Sequence, residues 1–171
     1  MSFGRVTILR RVKRALLLIL PAALALAGSS CGGGGSGQLS KSDYETKIGS
    51  IVRPLQEPGG TLQSVVTISA ADPKGAVRAL KDGESKLQDA ASELASMKPP
   101  DDAVAPTQAI AKGVREIADQ VTAVRKDAER GNFAGLIQFK LSLSSDPAVS
   151  EIRDAAVQLI NLGYNIAGAG P

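Results

Sequence analysis

Two pairs of acidic residues are the side chains whose spacing could support chemistry in this sequence. Asp101 and Asp102 are adjacent, and Glu116 and Asp119 stand three residues apart, on one face of a predicted helix. Carboxylates in such pairs can bind a cation or exchange protons. No third carboxylate marks a site beside them. We therefore expect Asp101 and Asp102 to cap a helix and complement its dipole, and Glu116 and Asp119 to form a solvated surface with Lys112.

The composition excludes most other catalytic and metal chemistry. The chain of 171 residues contains no histidine, which removes the commonest general base and the commonest transition-metal ligand. Its single cysteine excludes disulfides within the chain and cysteine-rich metal sites. No Gly-x-Ser-x-Gly sequence occurs after residue 32, and no serine of the chain precedes a lysine by three residues, as familiar serine nucleophiles require. The sequence therefore predicts a protein that is not an enzyme, with no catalytic residue, no cofactor and no metal site.

The first 30 residues have the layout of a secretory signal peptide. Five basic residues and no acidic residue occur there, and residues 15–27 form an uncharged apolar run. The run is shorter than the roughly 20 residues needed to cross a bilayer. Removing the five basic residues leaves 15 basic and 17 acidic side chains, a net charge of −2. The basic character of the whole chain therefore belongs to the signal peptide, and we expect no nucleic-acid partner.

Cys31 follows this segment directly and is itself followed by a glycine-rich stretch. The sequence Leu26-Ala27-Gly28-Ser29-Ser30-Cys31 resembles the lipobox of bacterial lipoproteins, although Gly28 stands where that box usually has an aliphatic residue. The resemblance implies cleavage before Cys31, a diacylglycerol on its thiol, and contact with the membrane through this lipid anchor. Cleavage after Ala27 instead, at Ala25-Leu26-Ala27, would release a secreted protein.

The remainder of the chain divides into a tether, a helical domain and a tail. Residues 31–41 are predicted to be the lipidated cysteine and a flexible glycine-rich tether. The nine residues from Gly32 to Ser40 would span about 15–18 Å as a coil. Residues 42–166 are predicted to form the helical domain. Residues 167–171 have nothing to pack against and are expected to be disordered.

The helical prediction depends on caps, breaks and a regular apolar spacing. Ser42-Asp43-Tyr44-Glu45 is typical of a capping box, and Asp72-Pro73 and Asp146-Pro147 are typical helix starts. Pro54 and residues 57–60 interrupt the first helix, and residues 145–147 interrupt the last. The two middle helices have an apolar or small residue every three or four positions: Ala76, Leu80, Gly83, Leu87, Ala90, Leu94 and Met97, then Ala103, Thr107, Ile110, Val114, Ile117, Val121, Val124 and Ala128. This pattern predicts an all-α, up-down antiparallel four-helix bundle with broken first and last helices and coiled-coil packing.

The same spacing assigns the remaining apolar side chains. The small residues Ala76, Gly83 and Ala90 are expected to let the next helix approach closely. Residues 125–130 alternate in charge and are expected to be solvated. Tyr164, after Gly163, either closes the end of the bundle or lines a pocket there. The predicted core face of the last helix comprises Phe133, Leu136, Ile137, Lys140 and Leu141, supplemented by Phe139 and Leu143, and then Val149, Ile152, Ala156, Leu159 and Ile160.

Two hypotheses for function remain. The first is a lipid-anchored lipoprotein on the extracytoplasmic face of the cell membrane, a non-catalytic helical bundle that acts through contacts with an envelope protein. Its location would be the cell membrane, or the medium if the chain is secreted. The second is a binding module that holds an apolar or amphipathic ligand between its helices. The partner and the ligand are not encoded in any motif of this sequence.

Overall fold

The part of the chain that the structure describes is built from helices. The computed structural model describes residues 37–56, 65–66, 69 and 71–166, and every regular element within these residues is helical. The predicted signal peptide, Cys31 and residues 167–171 lie outside them. Short 3-10 turns occupy Asp101–Ala103 and Leu143–Ser145. The α-helices with both ends among the described residues are α1 (Lys41–Gln56), α2 (Pro73–Ser96), α3 (Val104–Glu129), α4 (Ala134–Ser142) and α5 (Pro147–Asn161).

The helices pack as an antiparallel bundle around α3. Helix α3 contacts α2, α4 and α5, and α1 packs on α2. The Leu39 N–H, just before α1, donates to the Lys98 carbonyl, just after α2, over 2.9 Å. Along α3 and α5, Lys112 pairs with Glu151, whereas Gln120 bonds Asp146. Residue numbers therefore rise along one helix as they fall along its neighbour, and the predicted all-α bundle is confirmed.

The interruption of the last helix is also confirmed. The 3-10 turn at Leu143–Ser145 and the following Asp146 separate α4 from α5. Pro54 lies within α1, which continues to Gln56. The backbone is again helical at residues 65–66 and 69, while the break predicted at 57–60 falls outside the described residues.

Side-chain caps place the helix ends. Asp72 accepts the Gly75 N–H and Asp146 accepts the Ala148 N–H, each over 2.8 Å, as predicted for an acid before a proline. The prediction that Ser42 caps α1 is wrong. Ser40 does so instead, accepting the Asp43 N–H over 3.2 Å, because Ser40-Lys41-Ser42-Asp43 repeats the capping pattern two residues earlier.

The core consists of two clusters of buried side chains. The end of the bundle where residues 37–40 lead into α1 is called the tether end, and the opposite end the distal end. The tether-end cluster includes Tyr44, Ile48, Leu94, Ile110 and Leu159. The distal cluster consists of Val65, Ala76, Leu80, Val121, Val124, Ala128, Leu136 and Phe139. Leu87 packs against both clusters, so the predicted faces of α2 and α3 are confirmed.

Of the two glycines Gly83 and Gly113, only Gly113 lies where a neighbouring helix leaves no room for a methyl group. A Cβ built on Gly113 in α3 would lie 2.6 Å from Ile152 Cγ1 and 2.9 Å from the carbonyl oxygen of Ala148, both in α5. A Cβ built on Gly83 would meet nothing within 4 Å. The prediction that Gly83 permits a close approach is therefore wrong, whereas Gly113 marks a tight contact between α3 and α5.

Candidate interaction surface

The predicted acidic pairs do not form a site. Asp101 and Asp102 lie in the 3-10 turn before α3, where neither side chain caps a helix. Asp101 accepts a hydrogen bond from the Gln38 amide over 2.5 Å, and Asp102 accepts one from the Tyr164 hydroxyl over 2.5 Å. The prediction of helix caps is wrong for both residues, because longer-range partners bind their carboxylates.

The second acidic pair is exposed, as predicted. Glu116 and Asp119 both face solvent on α3. Lys112 lies 3.7 Å from Glu116 and 2.8 Å from Glu151 of α5, and the hydrogen bond that Lys112 donates to Glu151 raises the pKa of Lys112. In the part of the chain that the structure describes, no group of three or more cysteine, aspartate or glutamate side chains could hold a metal ion.

Two tyrosines close the tether end of the bundle. The rings of Tyr44 and Tyr164 meet edge to face, with centroids 5.2 Å apart and an interplanar angle of 78°. Thr107 donates to the Ala103 carbonyl over 2.6 Å, so its oxygen accepts the proton of Tyr44 over 2.8 Å. Burial raises the pKa of both tyrosines, and the hydrogen bond to Asp102 raises that of Tyr164 further. Tyr164 is only 5% exposed and therefore seals this end.

The residues that precede α1 are also bonded to the tether end of the bundle. Beside the backbone bond of Leu39 and the side-chain bond of Gln38, Lys41 places its ammonium group 4.8 Å above the Tyr164 ring. The Asn165 N–H donates to Glu45 over 2.9 Å, so the segment that follows α5 is joined to α1. The bundle thus holds the chain from residue 38 onward, three residues before α1 begins.

An ion pair between α2 and α3 was not predicted from the sequence. Glu84 is only 9% exposed and accepts hydrogen bonds from Thr122, over 2.7 Å, and from the Nε of Arg125. A second guanidinium nitrogen of Arg125, Nη1, donates to Glu129 over 2.6 Å. The hydrogen bond from Arg125 is the main cause that lowers the pKa of Glu84. The prediction that residues 125–130 are solvated is therefore wrong for Arg125. The sequence pattern of α2 contains no signal that would pair Glu84 with Arg125 of α3.

The last two helices expose large aliphatic side chains that the sequence assigned to the core. In α4, Leu136 and Phe139 are buried, whereas Ile137 is 51% and Leu141 68% exposed. The core prediction is therefore confirmed for Leu136 and Phe139 and wrong for Ile137 and Leu141, because this short helix is apolar on both sides and spacing alone cannot select the buried side.

In α5 the core prediction is confirmed for Ile152 and Leu159 and wrong for Ile160. Its buried positions are Ala148, Ala155 and Leu159, with Ile152 partly buried. Val157, Ile160 and Leu162 are exposed at 48%, 43% and 43%. Together with Ile137 and Leu141, these three side chains are the exposed large aliphatics within the described ranges, and they define what we call the aliphatic surface. All five lie in or directly after α4 and α5.

Helix α4 combines this exposure with a low charge. Residues 131–145 contain one charged side chain, Lys140, and no acid. Ala134, Ile137 and Leu141 recur at spacings of three and four and are all exposed, so they form one stripe along the helix. Lys140 flanks this stripe and forms no ion pair with any residue the structure describes.

A groove of about 590 Å³ runs along the outer side of α1. Its lining is mostly polar or small: Ser42, Glu45, Thr46, Gly49, Ser50, Arg53, Pro54 and Asn165. Such a lining does not suit an apolar ligand, which requires a mainly hydrophobic wall.

No helix among the described residues is long and apolar enough to cross a membrane. Comparison with known protein families, curated proteins and solved structures finds no match to this chain.

Proposed function

We propose that this protein is a lipid-anchored lipoprotein of the extracytoplasmic face of the cell membrane, and that its helical bundle acts through contacts with an envelope protein rather than by catalysis. We infer the protein contact from the aliphatic surface, the five large aliphatic side chains that are exposed on α4 and α5. Soluble bundles bury their large aliphatic side chains, and groups of exposed ones are typical of surfaces that meet another molecule. All five belong to the last two described helices: Ile137 and Leu141 lie in α4, and Val157, Ile160 and Leu162 lie in the second half of α5 or directly after it.

The anchor is supported by the position of Cys31 relative to the bundle. Six residues, Gly32 to Gly37, separate Cys31 from Gln38, the first of the described residues with a side-chain bond to the bundle. A glycine-rich coil of that length spans about 12–15 Å. A lipid on Cys31 would therefore hold the tether end close to the bilayer, while α3, about 39 Å long, carries the distal end away from it.

The hypothesis of a ligand held between the helices has less support. The space between the helices contains two clusters of buried side chains. The groove on α1 is lined mainly by polar or small residues.

Intact-mass analysis of the native protein tests the anchor. We expect a chain that starts at Cys31 with acyl groups and that enters the detergent-rich phase on phase separation. Cys31→Ser should move the protein to the aqueous phase and leave its thermal unfolding unchanged. An acyl-free chain that starts at Gly28 and is recovered from the medium would contradict the proposal.

Photo-crosslinking in cells tests the contact with a protein. A crosslinking amino acid at Leu141 or Val157 should form an adduct of defined mass with one envelope protein. The control position is Ser85, which is exposed on α2 and lies outside the aliphatic surface. Adducts at all three positions, or at none, would contradict a specific contact at α4 and α5.

A further inference from the structure

The stripe on α4 has a charge pattern that selects among possible occupants. A symmetric contact between two copies through this stripe would bring Lys140 close to the partner's Lys140. Residues 131–145 contain no acid that could neutralise either ammonium group. Like charges across such a contact oppose association, so the stripe does not suit pairing with itself.

The position of α4 also argues against the bilayer as its occupant. Leu136 and Phe139 anchor α4 in the distal cluster beside Val121. Val121 is 17 residues into α3, which places α4 about 25 Å from the tether end. A lipid at Cys31 would hold the opposite end of the bundle at the membrane.

We propose that α4 binds an amphipathic helix of a partner protein, with an apolar ridge across Ile137 and Leu141 and a carboxylate opposite Lys140. The inference rests on the proposed function, from which it takes that the aliphatic surface meets a protein. The nine residues of α4 extend over about 13 Å, which matches a ridge formed by apolar residues at i, i+3, i+4 and i+7 of a docking helix. Lys140, which has no ion-pair partner among the described residues, supplies the polarity of the match, since an acid on the docking helix would meet a cation and a lysine would be repelled.

Two synthetic helical peptides test this selection. Both carry the same leucine ridge and one tryptophan, and they differ only in glutamate or lysine at the flanking positions. Because the protein contains no tryptophan, peptide fluorescence reports binding without background. The titrations use the full-length chain, both as extracted from membranes in mild detergent and as the Cys31→Ser variant in buffer. We expect saturable binding of the glutamate peptide at least tenfold tighter than that of the lysine peptide.

Three variants assign the binding to α4. Leu141→Ser should weaken binding of the glutamate peptide at least tenfold, and Lys140→Glu should invert the preference between the peptides. Ser85→Ala is the control, because Ser85 is exposed on α2 outside the aliphatic surface, and this substitution should leave binding unchanged. Circular dichroism establishes that each exposed substitution leaves the fold intact.

Several results would overturn the inference. These are equal binding of the two peptides, no saturable binding, binding insensitive to Leu141→Ser, and a preference unchanged by Lys140→Glu. Cosedimentation of the Cys31→Ser chain with phosphatidylglycerol vesicles that Leu141→Ser abolishes would assign the stripe to lipid. Self-association that Leu141→Ser abolishes would assign it to a second copy. An acyl-free native chain that still selects the glutamate peptide would refute the anchor alone, whereas an anchored chain without selection would refute this inference alone.

Discussion

Replacement of Gly113 by alanine should destabilise the bundle, although alanine is the better helix former. Gly113 lies in the interior of α3, against Ala148 and Ile152 of α5. The added methyl group would lie 2.6 Å from Ile152 Cγ1 and 2.9 Å from the Ala148 carbonyl oxygen. The carbonyl cannot turn away freely, because Ala148 belongs to the first turn of α5, which Asp146 caps. Relief of the contact therefore requires the two helices to separate.

The expected size follows from two opposing effects. Glycine to alanine in a helix interior gains about 1 kcal/mol of helix propensity. Overpacking of a tight interface costs about 1–3 kcal/mol, and the backbone contact places Gly113 in the upper part of that range. We expect Gly113→Ala to lower the free energy of unfolding by about 1–2 kcal/mol.

Gly83→Ala provides the matched control. Gly83 is also inside a helix, but its added methyl group meets nothing within 4 Å. Only the propensity gain then applies, so this substitution should raise the free energy of unfolding by about 0.5–1 kcal/mol.

Urea and thermal unfolding followed by far-ultraviolet circular dichroism measure both changes. For a domain of this size, 1 kcal/mol corresponds to a shift in Tm of about 3–5 °C. Ile152→Ala removes the side-chain atom nearest to the new methyl group, so the double variant Gly113→Ala/Ile152→Ala should lose less stability than the sum of the single losses. A Gly113→Ala protein as stable as the parent would refute the close packing of α3 on α5.

Three further substitutions probe the buried polar contacts and the core. Glu84→Gln should lower the free energy of unfolding at pH 7 by about 1–2 kcal/mol. Arg125 lowers the pKa of Glu84 in the folded state, so this contribution is present above the ordinary pKa of 4.5 and is lost as pH falls through the folded pKa. The difference between parent and variant should therefore shrink in acid, and a constant gap from pH 7 to pH 3 would argue against the ion pair. Tyr164→Phe removes the bond to Asp102 but keeps the ring contact with Tyr44, and should cost about 1–2 kcal/mol in urea unfolding. A loss as large as that of Tyr164→Ala would mean that the hydroxyl, and not the ring, seals the tether end. Ile117→Asp should unfold the domain, because it places an unpaired charge against the distal cluster, and an unchanged thermal melt would show that this face of α3 is not core.

The local elements of this fold could be read from the residue order. The caps at Asp72 and Asp146 and the left-handed Gly131 after α3, with φ +83°, depend on contacts within a few residues. The core faces of α2 and α3 were equally predictable, because each of these helices has one apolar side and the other side is charged. Antiparallel packing then follows from the short connection at residues 97–103.

Three features were decided only when the helices met. Helix α4 has apolar side chains on both sides, and its buried side is the one that packs on α3. Leu136 and Phe139 lie on that side and are buried, whereas Ile137 and Leu141 are exposed. The charges of Glu84 and Arg125 lie 41 residues apart, and their pairing depends on the register between α2 and α3. Gly83 and Gly113 are alike in sequence, yet only the second faces a helix near enough to exclude a methyl group. Hydrogen bonding and helical period act over one turn of chain, whereas the choice between equivalent faces depends on the surface that lies opposite, which no local pattern records.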